Sequence, residues 1–230
     1  MGSRLALATA AAAILMTTAA VVHAQPARYP DLPALPRELE IELALNAAPP
    51  HLREAATVLV LEPAGYVTAR QGSNAFTCLV ARRGGDVVPI CWDAEGTRTM
   101  VPIETEAATL RLSGVSITEI DRRVADGFKS GHFKAPARAG ISYMLSPLRY
   151  RIDESGKVTR TAPLPHVMFY GPNLTDADVG GARGTPAFMN KVGPDGMIIV
   201  PVGAAEKQAL LDATASLAER VERQLGYRQP

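Results

Sequence analysis

Short runs of β-branched and apolar residues, separated by glycine, proline and acidic turns, alternate along this chain with segments of helical spacing. Residues 57–62 (TVLVLE), 66–70, 76–82 and 87–92 read as four strands. The first two are joined by Glu62-Pro63-Ala64-Gly65, with proline and glycine where a turn favours them, and the polar loop 71–74 leads to the third. Such short connections predict an antiparallel meander. Further strands are expected at 141–145, 148–152, 158–161, 164–170 and 197–202, with Ser146-Pro147 breaking the first two apart. The stretch 171–195, rich in glycine, proline, aspartate and asparagine, is the longest irregular region.

Helical spacing is clearest at Ile117, Ile120, Val124 and Phe128, immediately after Ser116-Ile117-Thr118-Glu119. That tetrad is a capping box, in which serine and glutamate satisfy free backbone N–H groups. A preceding helix spans 102–112 and stops at Gly114, with 93–96 as a turn before it. A closing helix over 204–225 carries Leu210, Ala213, Leu217, Val221 and Leu225 on one stripe. Residues 36–48 are alanine- and glutamate-rich and read as a helix, although Leu39, Ile41, Leu43 and Leu45 also alternate as in a strand. Strands and helices come in blocks, so the expected fold class is α+β: a mainly antiparallel sheet with a disulfide-stapled hairpin, packed by helices.

Both cysteines lie in residues 76–92, FTCLVARRGGDVVPICW. Gly84-Gly85 is a two-residue hairpin loop that needs positive φ. Counting outward from it sets Val80 opposite Pro89 and Cys78 opposite Cys91, on the non-hydrogen-bonded type of pair where strands approach most closely. A Cys78–Cys91 disulfide follows. Pro89 offers no outward N–H, so its strand is expected at an edge or under a loop.

Composition adds a compartment. Residues 1–24 have Arg4, an apolar stretch and Val22-His23-Ala24, which together read as a secretory signal peptide cleaved before Gln25. An uncleaved anchor is the alternative. Residues 25–36 carry four prolines and form an extended arm, leaving 37–230 as a single domain. The expected location is periplasmic or secreted, with no membrane span after cleavage. The whole chain has 24 basic and 23 acidic residues, a balance that gives nucleic acid no electrostatic foothold. No cofactor motif is present: Gly180 to Gly184 is not a phosphate loop, and His51, His132 and His166 have no metal-ligand spacing.

Candidate chemistry concentrates around residues 164–178 (LPHVMFYGPNLTDAD), where a strand would deliver His166 and Tyr170 into a polar loop. Ligand binding is assigned to Tyr143, His166, Tyr170 and Asn173. Catalytic candidates are His166 as base with Ser146 or Asp176, a hydrolase arrangement lacking a nucleophile-elbow motif. Asn173, Asp176 and Asp178 are hard donors that could hold Ca²⁺, set against a capping role for Thr175 and Asp178. The charges Lys129, His132, Lys134 and Arg138 read as a solvated loop. The expected function is therefore non-catalytic binding of a small molecule or of an envelope or secreted protein, with a hydrolase as the alternative.

Overall fold

A computed structural model describes residues 35–153, 155–182 and 184–227. The proposed signal peptide and all but the last two residues of the proline-rich arm lie outside the described residues. Among those described, seven α-helices accompany a ten-stranded mixed sheet. The strands are β1 (Thr57–Glu62), β2 (Gly65–Arg70), β3 (Thr77–Ala81), β4 (Asp86–Trp92), β5 (Ile141–Met144), β6 (Tyr150–Ile152), β7 (Val158–Arg160), β8 (His166–Tyr170), β9 (Phe188–Met189) and β10 (Met197–Pro201). Their spatial order is β2-β1-β3-β4-β5-β8-β10-β9, with β6 and β7 branching from β4. The α+β class holds, and the sheet is mostly antiparallel.

The stapled hairpin has the register counted from its turn: Cys78 faces Cys91, Val80 faces Pro89 and Ala81 faces Val88. Gly84 and Gly85 both have positive φ, at 65° and 88°. The disulfide is formed, with the two Cα atoms 4.0 Å apart, as the close non-bonded pair requires.

The meander is not formed. β1 lies between β2 and β3 and runs parallel to β3, with Val58 beside Cys78. The loop after β2 turns back across the start of β1, where the N–H groups of Ser73 and Asn74 both donate to the Ala55 carbonyl, at 2.8 and 2.9 Å. A Cβ on Gly72 would sit 2.3 Å from that oxygen, so only glycine permits the crossing. Nor is β4 an edge strand. Its outer side bonds β5 at Cys91 and Trp92 and β6 at Asp86 and Val87. Residues 144–149 leave the ladder opposite 88–90, so the buried Pro89 falls in the gap between the two pairings. Its missing N–H therefore costs no bond.

Helices cover both faces. α1 (Arg37–Leu45) and α7 (Ala215–Leu225) pack Leu39, Leu43, Ala44, Leu217 and Val221 against Val58, Val60, the disulfide, Leu148 and Tyr150. A short helix, α2 (Pro50–Arg53), begins at Pro50 where the first helix was expected only to end. The other face holds α3 (Ala94–Thr99), α4 (Val101–Leu112) and α5 (Ile117–Ser130), which bury Met100, Ile103, Ile120 and Val124 against Leu79, Ile90, Trp92, Met168 and Tyr170. Ser116 caps α5 by accepting from the Glu119 N–H at 3.3 Å. Residues 93–96 are the start of a helix instead of a free turn, capped by Asp93.

The closing helix is two helices. α6 (Ala204–Ala213) has no buried residue and ends at buried Thr214, whose hydroxyl donates to the Leu210 carbonyl at 2.8 Å. The predicted stripe is buried only from Leu217 onward, and Ala213 is exposed. One buried ion pair ties α1 to the hairpin: Arg82 and Glu40, 3.3 Å apart, with the Leu61 N–H also donating to Glu40. Burial raises the Glu40 carboxyl pKa, against the pull of Arg82.

Candidate functional site

Strand pairing separates the residues assigned to ligand binding. Tyr143 stands opposite Val167 and Cys91, on the α1/α7 face, where its ring lies 5.8 Å from Phe76. His166 and Tyr170 share the opposite face with Met168. Successive strand residues point to opposite sides, so neighbours by sequence pattern are divided by the sheet itself. Around Tyr143, Val167 and Val200 form one row and Ile141, Phe169 and Ile198 the next. Phe169 is 41% exposed there.

Tyr170 is part of a tight structural hub. Its hydroxyl donates to Asp93 Oδ1 at 2.7 Å, and its ring stacks on Trp92 with centroids 6.4 Å apart. Asp93 also accepts from the Gly96 N–H at 2.9 Å and from the Ile141 N–H at 2.9 Å. One carboxylate thus caps α3, opens β5 and holds β8. A Cβ on Gly96 would meet the tyrosine oxygen at 2.2 Å, so the hub closes only around glycine. Burial first, and then the Asp93 carboxylate, push the Tyr170 hydroxyl pKa well up, which keeps it a donor.

His166 is 2% exposed, and its Nδ1 lies 2.6 Å from the Leu164 carbonyl. Burial lowers its pKa, Arg149 lowers it further, and the Leu164 bond acts the other way. The imidazole is accordingly neutral near pH 7, with Nδ1–H donating to Leu164. Ser146 is 1% exposed and its Oγ accepts from the Leu148 N–H at 3.2 Å, so it forms part of the turn between β5 and β6. Asp176 accepts from the Met189 N–H at 2.7 Å. No hydrogen bond joins His166, Ser146 and Asp176 to one another among the described residues.

The polar loop is spent on its own backbone. Asp178 accepts from the N–H and hydroxyl of Thr175, at 2.8 and 2.7 Å, which is the turn-forming role weighed against Ca²⁺. Asn173 has φ 61°, and its N–H donates to the Gly193 carbonyl at 2.7 Å. Among the described residues no group of three or more His, Cys, Asp or Glu side chains could hold a metal ion. The loop charges find acids nearby: Lys129 pairs with Asp126, His132 with Glu106 and Arg138 with Glu95.

A cleft appears where sequence patterning gave no hint of one. As β4 hands its outer side from β5 to β6, the sheet forks, and β7 reaches β8 only through residues 161–165. The fork leaves a cavity of ≈ 430 Å³ lined by Asp86, Val88, Arg149, Tyr150, Arg151 and residues 161–164. A second cavity of ≈ 450 Å³ adjoins it across Asp86 and Arg151 and runs toward Arg83, Ile117 and Asp121. In the first, Arg149 sits at the end of the excursion from the ladder. Its Nε is buried without a hydrogen-bond partner, and burial lowers its pKa. Asp86 is held by Arg151 at 3.1 Å. Leu164 forms part of the wall, and His166 lies behind it. Arg149 carried no sequence signal, because a lone arginine before a three-residue strand reads as surface charge.

A second group was equally silent. Glu104, half-buried in the first turns of α4, has no hydrogen bond or ion pair among the described residues, and burial raises its pKa while Arg83 and Lys191 oppose the shift. No helix of the described residues is long and apolar enough to cross a membrane. Comparison with protein-family models, with curated proteins and with solved structures found no match.

Proposed function

We propose that this chain is an exported, non-catalytic binding domain whose ligand seats in the cleft at the fork of the sheet. The observation that carries this reading is the cleft itself. Its ≈ 430 Å³ falls within the range of small-ligand sites, and its walls are rigid. The Thr161 N–H and hydroxyl both bond the Arg149 carbonyl, at 2.9 and 3.2 Å, while Leu148 and Tyr150 on either side are wholly buried. Export is supported by the leader-like residues 1–24 and by a formed disulfide, which persists in oxidising compartments. The hydrolase alternative loses weight because His166 and Ser146 are committed to backbone partners and buried.

A thermal-shift screen of small metabolites on the mature chain tests the reading, since a ligand of the native state raises its melting temperature. Ala162 is exposed on the rim, so Ala162→Trp fills the opening without disturbing the core. Compounds that stabilise the wild-type chain are expected to lose their effect on this variant. Equal stabilisation of both proteins, or no stabilising compound at all, would overturn the proposal.

A further inference from the structure

We infer, building on the cleft proposed above, that its ligand is amphiphilic: an anionic head, carboxylate or phosphate, on Arg149 and an apolar body along Val88, Pro163 and Leu164. Other half-buried or buried arginines have visible partners. Arg82 pairs with Glu40, Arg83 with Asp121 at 2.6 Å and Arg160 with Glu222 at 2.8 Å, while Arg70 donates to the carbonyls of Arg53 and Ala56. Arg149 has neither a hydrogen bond nor an ion pair from its side chain among the described residues, although its Nε is sealed from solvent. Asp86, whose charge acts on it, is engaged by Arg151.

A half-buried guanidinium whose sealed Nε has nothing to bond is costly, and an arriving anion would reduce that cost. The guanidinium presents its donors as a planar fork that suits carboxylate or phosphate oxygens. Its backbone is placed in advance, because the main chain is bonded to Thr161 and its two neighbours are locked in the core. Only the torsions of the arginine side chain are left for the ligand to order. The remaining lining supplies an apolar contact surface in Val88, Ala162, Pro163 and Leu164. Arg151 at the mouth, already opposite Asp86, leaves the cleft with one uncompensated positive charge.

Calorimetric titration of the mature protein with octanoate, with inorganic phosphate and with the uncharged octan-1-ol tests the assignment. Octanoate is expected to bind at one site and phosphate to compete with it. Arg149→Met should weaken octanoate by about tenfold or more. The same variant should keep the wild-type circular dichroism and melt no lower than wild type, because it removes an unpaired cation and keeps the aliphatic stem. Octanol binding as tightly as octanoate would overturn the anionic head while leaving a binding cleft intact. Unchanged octanoate affinity in Arg149→Met would place the site elsewhere, and a large drop in melting temperature would show that Arg149 is structurally paired. Absence of binding by all three probes would overturn the ligand class, while the metabolite screen against Ala162→Trp decides the cleft separately.

Discussion

Reducing the Cys78–Cys91 bond probes the part of the fold on which strand register depends. The two cysteines are separated by 13 positions. Loop entropy for a ring of that size gives about 3 kcal/mol of stabilisation, by restricting the unfolded chain. Both side chains are fully buried in the cluster that α1 covers with Leu43 and Ala44. A reductant therefore reaches the bond only when that helix or the whole sheet opens, and reduction under native conditions should be slow. The assay is urea unfolding of the oxidised protein against the variant Cys78→Ala/Cys91→Val, which keeps most of the buried volume. With an m-value of about 2 kcal/mol/M, the midpoint should fall by about 1.5 M. Free thiols in the unreduced, urea-unfolded protein should be absent. An unchanged midpoint, or two titratable thiols before reduction, would refute the reasoning. Complete loss of a cooperative transition would also contradict it, because a domain with this much core retains stability beyond a single staple.

Three further outcomes follow from the buried and half-buried polar groups. Tyr170→Phe removes one donor to the Asp93 carboxylate and should cost about 1.5–3 kcal/mol in chemical unfolding, as for a hydrogen bond to a charged group; a loss no larger than that of a surface substitution would deny the hub its role. The lowered pKa of buried His166 means that the unfolded chain binds the proton more readily. Stability should thus be fully present above the unfolded value of about 6.5 and fall as pH drops toward the lower folded value. His166→Phe should flatten that part of the melting-temperature profile. Glu104 has the opposite sign: its raised pKa favours the protonated native state, so stability falls as pH rises above 4.5. Glu104→Gln should accordingly raise the melting temperature near neutral pH, and the gain should vanish below about pH 4; a loss at neutral pH would reveal a partner for the carboxylate.

Local chemistry made several of these elements readable. Gly84-Gly85 admits a turn with positive φ, and counting from it placed Cys78 against Cys91 without any knowledge of the rest of the sheet. Ser116 and Glu119 announced a helix start because capping is settled within one turn. Strand positions such as 57–62 and 197–201 were visible because apolar β-branched runs need only their own burial. The helix break at Thr214 was hidden, since the apolar spacing continues through it and the buried hydroxyl that ends α6 shows only in three dimensions.

Which strands become neighbours is a matter between distant segments, and alternation within a strand is silent on it. The same residues 57–62 and 77–81 could have been separated by β2, yet the crossing at Gly72 sets them side by side and parallel. Tyr143 and His166 looked like one surface until the pairing of Tyr143 with Val167 put the sheet between them, because a one-residue offset reverses the face of every side chain. The fork at Pro89, the half-buried Arg149 beside it and the three-way grip of Asp93 likewise arise only when β4, β5, β6 and β8 meet. Burial and hydrogen-bond satisfaction are properties of the assembled chain, and they decide which polar residues remain available to a ligand.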